Sequence, residues 1–235
     1  MSKIIRIFCW GWLISFLGSL PLGTLNVAAM QIGIQESIRQ AIYFSLGSTL
    51  VEMIYVRISL IGIDWLRKQE KLMKIMEWVT FGIVVALAVG SFIAAMHGGA
   101  NAKNPILDNS MNRFLLGVVG CAVNPVVVVF WFGWSTVLFT KKILLPVNSQ
   151  YNSYIVGIGL GAFAGNCVFI FGGNFLYNKI ANAQLYLHWV IGGIFTLTAL
   201  IQLYKIIRHK DAVEKLHHLK VEVEKNSDAV VNAAD

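Results

Sequence analysis

From Ile4 to Ile207 the sequence is filled by apolar segments long enough to cross a bilayer, with only short polar joints between them. About 20 apolar residues in a helix span the hydrocarbon core of roughly 30 Å. Inside that core no water is present to satisfy peptide groups, so segments of this length must be helices that bond their own backbone. With 57% hydrophobic and 13% charged residues among 235, an ordinary soluble domain is excluded and an all-α integral membrane protein is expected.

The segments run approximately Ile4 to Ile34, Ile38 to Ile63, Ile75 to His97, Phe114 to Phe139, Tyr154 to Tyr177 and Leu187 to Ile207. Six crossings put both ends on one side. Fourteen Lys and Arg residues fall on that side: Lys3, Arg6, the Arg67 to Lys74 joint, Lys141, Lys142, and the run from Lys205 to Lys225. Only Arg39, Lys103, Arg113 and Lys179 fall opposite, and Arg57 lies within a span. The excess of positive charge on cytoplasmic loops therefore predicts cytoplasmic termini. The N-terminal run is too long for the apolar region of a cleaved signal and is read as a retained span.

Three spans per half make the halves inverted copies, about 1–98 and 101–207, within one transmembrane domain of residues 1–207. Residues 208–235 form a charged tail, read as a short solvated helix followed by small polar residues.

Two spans carry helix breakers. Pro21-Leu22-Gly23-Thr24-Leu25-Asn26 interrupts the first, and Asn124-Pro125 the fourth, with the prolines 104 residues apart. Proline removes a backbone donor, glycine tolerates unusual dihedrals, and asparagine can satisfy a freed backbone group or bind a solute. A broken helix persists at membrane depth only where protein or a polar cavity covers it. Matching breaks in two halves mark the binding site of a secondary transporter; simple kinks are the alternative.

Glu52, near the middle of the second span, is the most consequential side chain. A carboxyl there is costly and faces a partner or a cavity. It serves either as a structural hydrogen-bonding group or as an ammonium contact and proton carrier that alternates between charged and neutral forms. Arg57 is five residues on, about 140° around the helix, so it does not pair simply with Glu52. It either extends to the headgroups or contacts a substrate carboxylate. Asn166, read as the fifth-span counterpart of Glu52, is a second polar lining residue or a helix-helix hydrogen bond. Trp131 is deep enough to line a cavity or simply to fill the core; Trp10, Trp12, Trp65, Trp78 and Trp189 read as interfacial. Gly157, Gly159, Gly161 and Gly165 suit close helix packing, within the chain or across a homodimer.

Composition removes several other classes. The positive charges are short flanks of apolar runs, which gives no nucleic-acid groove. His97 and His188 have no ligand-spaced partners, so neither a metal site nor another cofactor is expected. A thiol relay needs a cysteine at each break. Cys121 is one turn from Pro125, but Cys9 is about 18 Å along a helix from Pro21. One buried carboxyl is too few for an aspartyl protease, and no enzyme is expected. Export of a metal cation stays open through Glu52, against the preference of hard cations for several oxygen ligands.

Gly18 to Asn26 is similar to the G-x-x-P-G-P-x-N type stretch in the first span of the lysine exporter (LysE/RhtB) family. Gly47 to Glu52 resembles its G-x-x-x-G-D, and Phe114 to Pro125, with Gly117 and Asn124, its F-x-x-G to N-P run. Leu22 and Thr24 flank Gly23 where the family is richer in proline, Val51 replaces its second glycine, and Glu52 its aspartate. The resemblance implies ion-driven export of amino acids or related small zwitterionic solutes across the bacterial cytoplasmic membrane. Pro21, Gly23, Asn26, Glu52, Asn124 and Pro125 are the expected binding residues, Glu52 the proton-coupling residue, and Arg57, Trp131 and Asn166 the accessory ones.

Overall fold

The computed structural model describes residues 3–20, 23–61, 70–96, 110–179 and 183–207. Pro21, Trp65, His97, the joint between the halves and the tail from Arg208 lie outside them. The described residues form α1 (Lys3–Ser19), α2 (Thr24–Gln35), α3 (Ile38–Ile61), α4 (Glu70–Met96), α5 (Arg113–Ala122), α6 (Pro125–Thr140), α7 (Asn148–Lys179) and α8 (Ala183–Ile207).

Four of these, α3, α4, α7 and α8, are individually long and apolar enough to span a membrane. The other four form two bent pairs, α1 with α2 at 74° and α5 with α6 at 64°. The second bend follows directly from sequence. Pro125 cannot donate to the preceding turn, so α5 stops at Ala122 and α6 restarts with Asn124 as its N-cap and Pro125 in its first turn.

Contacts at the ends show that each bent pair is one crossing. Ser153 Oγ in the first turns of α7 donates to Ile4 O at the start of α1. Asn174 Nδ2, near the end of α7, reaches Gly33 O near the end of α2. α1 and α2 thus follow α7 from face to face. Likewise, Arg113 at the start of α5 pairs with Glu36 beyond α2, while Leu138 at the end of α6 packs with Ile7 and Tyr151 at the opposite face. Six crossings result, as expected.

Glycine holds the halves together in a repeated manner. A Cβ on Gly47 would collide with Phe114 O, and one on Gly117 with Phe44 O, so α3 and α5 cross backbone to backbone. α1 and α7 do the same: a Cβ on Gly11 would lie 2.6 Å from Tyr154 O, and one on Gly157 would collide with Phe8 O. Each crossing uses an aromatic residue and a glycine three positions later on both helices: Phe8 and Gly11, Phe44 and Gly47, Phe114 and Gly117, Tyr154 and Gly157. Exchanging the halves maps one crossing onto the other, the symmetry that an inverted repeat requires. Such close approach replaces the hydrophobic driving force that lipid does not supply. Gly161 and Gly165 also abut α1, and Gly159 abuts Met53, so the glycine-rich face of α7 is used inside the chain.

Two apolar clusters complete the core. One joins α1, α3, α6 and α7 around Ile7, Val56, Trp131 and Tyr154; the other joins α2, α3, α4, α7 and α8 around Val27, Phe44, Leu87 and Phe195. The helix breaks lie between them.

Candidate functional site

The two breaks touch. Leu25 in the first turn of α2 packs against Gly120 in the last turn of α5, and Gly18 near the end of α1 packs against the Phe130 ring of α6. Glu52 on α3 stands beside this junction. Its Oε1 accepts a 2.8 Å hydrogen bond from Trp131 Nε1 of α6, and it lies within electrostatic range of the Cys121 thiol at the end of α5. Trp131 is fully buried, edge-on to Phe130 at 4.9 Å and to Tyr154 at 6.4 Å, so its N–H is held in place. Glu52 keeps partial exposure, and among the described residues its Oε2 has no hydrogen-bond partner. An oriented carboxylate with one open oxygen is suited to a cationic group.

The carbonyls released by the breaks are taken up by side chains. At the second break, the Tyr55 hydroxyl of α3 donates to Ala122 O and the Thr80 hydroxyl of α4 to Val123 O. At the first, Asn26 Nδ2 donates to Ser19 O. Freed carbonyls left bare in an apolar interior would each cost several kcal/mol.

The amide ends differ. Asn124 Oδ1 accepts from Val126 N at 3.1 Å and so caps α6. Gly23, at the matching place before α2, has no side chain with which to cap. Its backbone is extended, at φ −86° and ψ 151°, a region open to any residue. Conformational freedom, the property expected of this glycine, is therefore not what the position uses. The effect of glycine here is to leave the first amides of α2 without a side-chain acceptor among the described residues, at the positive end of a helix dipole.

Of the expected site residues, Gly23, Asn26, Glu52, Asn124 and Pro125 are gathered around this junction, and Pro21 lies outside the described residues. Both asparagines serve their own breaks through one side-chain atom. Arg57 turns away, donating to Asn152 Oδ1 at 3.3 Å and Asn148 Oδ1 at 3.5 Å and lying over the Tyr151 ring, all in the first turns of α7. Asn166 is buried in α7 beside the glycine that abuts Ser19. It is not the counterpart of Glu52: aligning the aromatic-to-glycine steps of α3 and α7 pairs Glu52 with Ala162, about one turn earlier. Tyr55 and Thr80 belong to the junction and were not expected there, whereas Cys121 lies beside the second break as its spacing from Pro125 implied. The signal for Tyr55 was its place three residues after Glu52, on the same helix face.

Among the described residues no three His, Cys, Asp or Glu side chains come together as a metal site. Cys9 is exposed near the start of α1, whereas Cys121 is buried at the second break.

No curated protein and no solved structure matches the chain significantly. The sequence model of one family, the LysE type translocator, matches residues 8–206, which takes in both breaks, the four glycines of the two crossings and Glu52. Through this match the chain belongs to the LysE type translocators, as a multi-pass membrane protein with a polar junction at the meeting point of two broken helices.

Proposed function

We propose that the protein exports an amino acid or a related small zwitterion across the bacterial cytoplasmic membrane, with its termini in the cytoplasm, in exchange for protons. The observation that carries this reading is the pairing of opposite polarities at one junction: the oriented carboxylate of Glu52 and the uncapped amide end of α2. The substrate ammonium meets Glu52 Oε2, and its carboxylate meets the amides following Gly23. The indole N–H of Trp131 fixes the carboxylate so that little ordering is lost on binding.

A proton arriving from the outer side neutralises Glu52 and weakens its hold on the ammonium, which leaves outward. Loss of that proton to the cytoplasm restores the charged site. Glu52→Gln keeps shape and hydrogen bonding but cannot carry a proton. In cells loaded with a panel of amino acids, the parent should lower internal levels of its substrates in response to a proton gradient, and the Gln variant should not. Activity toward divalent metal alone would reject the substrate class. A Gln variant that accumulates a gradient like the parent's would remove Glu52 from coupling.

A further inference from the structure

α3 carries a polar stripe that runs past Glu52 in both directions: Ser45, Thr49, Glu52, Tyr55 and Ser59 recur every three or four residues and share one face. The two ends of the stripe differ. Toward the end of α3, every hydroxyl is satisfied by protein. Tyr55 bonds to Ala122 O, and Ser59 bonds to Val56 O at 2.7 Å and to Ser135 Oγ at 3.1 Å. Toward the start of α3, the Thr49 and Ser45 hydroxyls are buried and have no hydrogen-bond partner.

Ser15 on α1 shares that absence, but most buried serines and threonines of these helices do not. Ser19, Ser48, Ser91, Thr136, Thr196 and Thr198 all donate to a carbonyl of their own helix three or four residues back. Thr49 and Ser45 make no such bond, and the carbonyl four residues before Thr49, Ser45 O, is already taken by the Ser48 hydroxyl. A buried hydroxyl with no protein partner calls for another, such as water, and the neighbour of Thr49 one turn along the stripe is the carboxyl of Glu52.

We infer that Thr49 and Ser45 are proton-path residues, conveying protons between the outer face and Glu52 through hydroxyls and intervening water, while the Ser59–Ser135 pair and Trp131 close the opposite side. This rests on the proposed proton coupling and deepens it. The step is a proton relay without redox change. A proton passes from water to the Thr49 Oγ, the hydroxyl proton passes on through water to Glu52 Oε2, and the carboxylate becomes a carboxyl. Among the described residues the titratable groups around Glu52 are Tyr55 on its own helix, Cys121 on α5 and Tyr154 on α7, while toward the Ser45 end of the stripe the charged groups are the Arg113–Glu36 ion pair at the start of α5. On α6 the partner is the non-titrating indole of Trp131.

Thr49→Val replaces the hydroxyl by a methyl of the same shape, and Thr49→Ser retains it. Both are measured in vesicles containing the full-length protein, by proton-driven transport and by substrate exchange without a gradient, in H2O and D2O. The Val variant should drive transport about tenfold more slowly than the parent, with a larger D2O effect and with exchange retained. The Ser variant should restore driven transport. Equal rates in Val variant and parent, equal impairment of both variants, or loss of exchange together with driven transport would each overturn the inference. Coupling fails separately if the parent itself shows no proton-driven transport.

Discussion

Replacing Gly117 by alanine adds one methyl group at the point where α5 and α3 cross, and the consequence can be worked from the contacts there. The new Cβ would overlap Phe44 O and lie 2.9 Å from Phe44 C and 3.1 Å from Ser48 N. All three are backbone atoms of a helix, so no side-chain rotation relieves the overlap and the two helices must part by about 1 Å. A gap of that size forfeits a quarter to a half of each dispersion well along the crossing, and overpacking of this kind costs about 1–3 kcal/mol. Alanine returns about 0.5–1 kcal/mol through its better helix propensity. The net loss should be about 1–2 kcal/mol, and driven transport should fall with it, because α3 carries Glu52 and α5 ends at the second break. Gly172→Ala is the control, since its Cβ meets nothing within 4 Å. It should be neutral or stabilising by up to about 1 kcal/mol. Thermal unfolding of the purified protein in one detergent, followed by tryptophan fluorescence, reads both. Equal unfolding temperatures for the two variants would refute the backbone-to-backbone crossing.

Three further outcomes follow from the junction and its supports. Trp131→Phe removes the N–H that orients Glu52 while keeping an aromatic core residue; it should weaken substrate binding about tenfold, read as a rise in half-saturating substrate concentration in exchange assays. Tyr55→Phe and Thr80→Val each leave a carbonyl of the second break without its donor and should cost about 1–3 kcal/mol in detergent unfolding, more than Thr196→Val, whose hydroxyl bonds only within its own helix. Glu36→Gln removes the charge partner that holds Arg113 at 2.7 Å and should destabilise by about 2–3 kcal/mol, with little loss if the pair is replaced together by apolar residues of similar volume.

The spans and the two breaks were legible because each is a local pattern: apolar length, and proline beside asparagine. The inverted repeat was legible only as a count of spans and a matching position of the two breaks. Its sequence mark, the aromatic-to-glycine step, recurs at offsets of 106 residues from Phe8 to Phe114 and 110 from Phe44 to Tyr154, while the prolines are 104 apart. No single offset aligns all of them, so a search for repetition passes over the pattern, and Asn166 was matched to Glu52 by position alone. The partners of Glu52 and Arg57 were not legible at all. Trp131 is 79 residues from Glu52, and Asn148 and Asn152 are 91 and 95 from Arg57. Only the packing of α3 against α6 and α7 brings them together.

The unequal caps on the two restarted helices carry a meaning of their own. A chain folded from two perfectly matched inverted halves would look the same from either side of the membrane and would have no preferred direction. Here the first half leaves its amides open after Gly23, the second closes its own with Asn124, and the acid at Glu52 is matched in the second half only by the methyl of Ala162. The duplicated frame supplies two ways of opening, and these few unmatched residues give the molecule a top and a bottom.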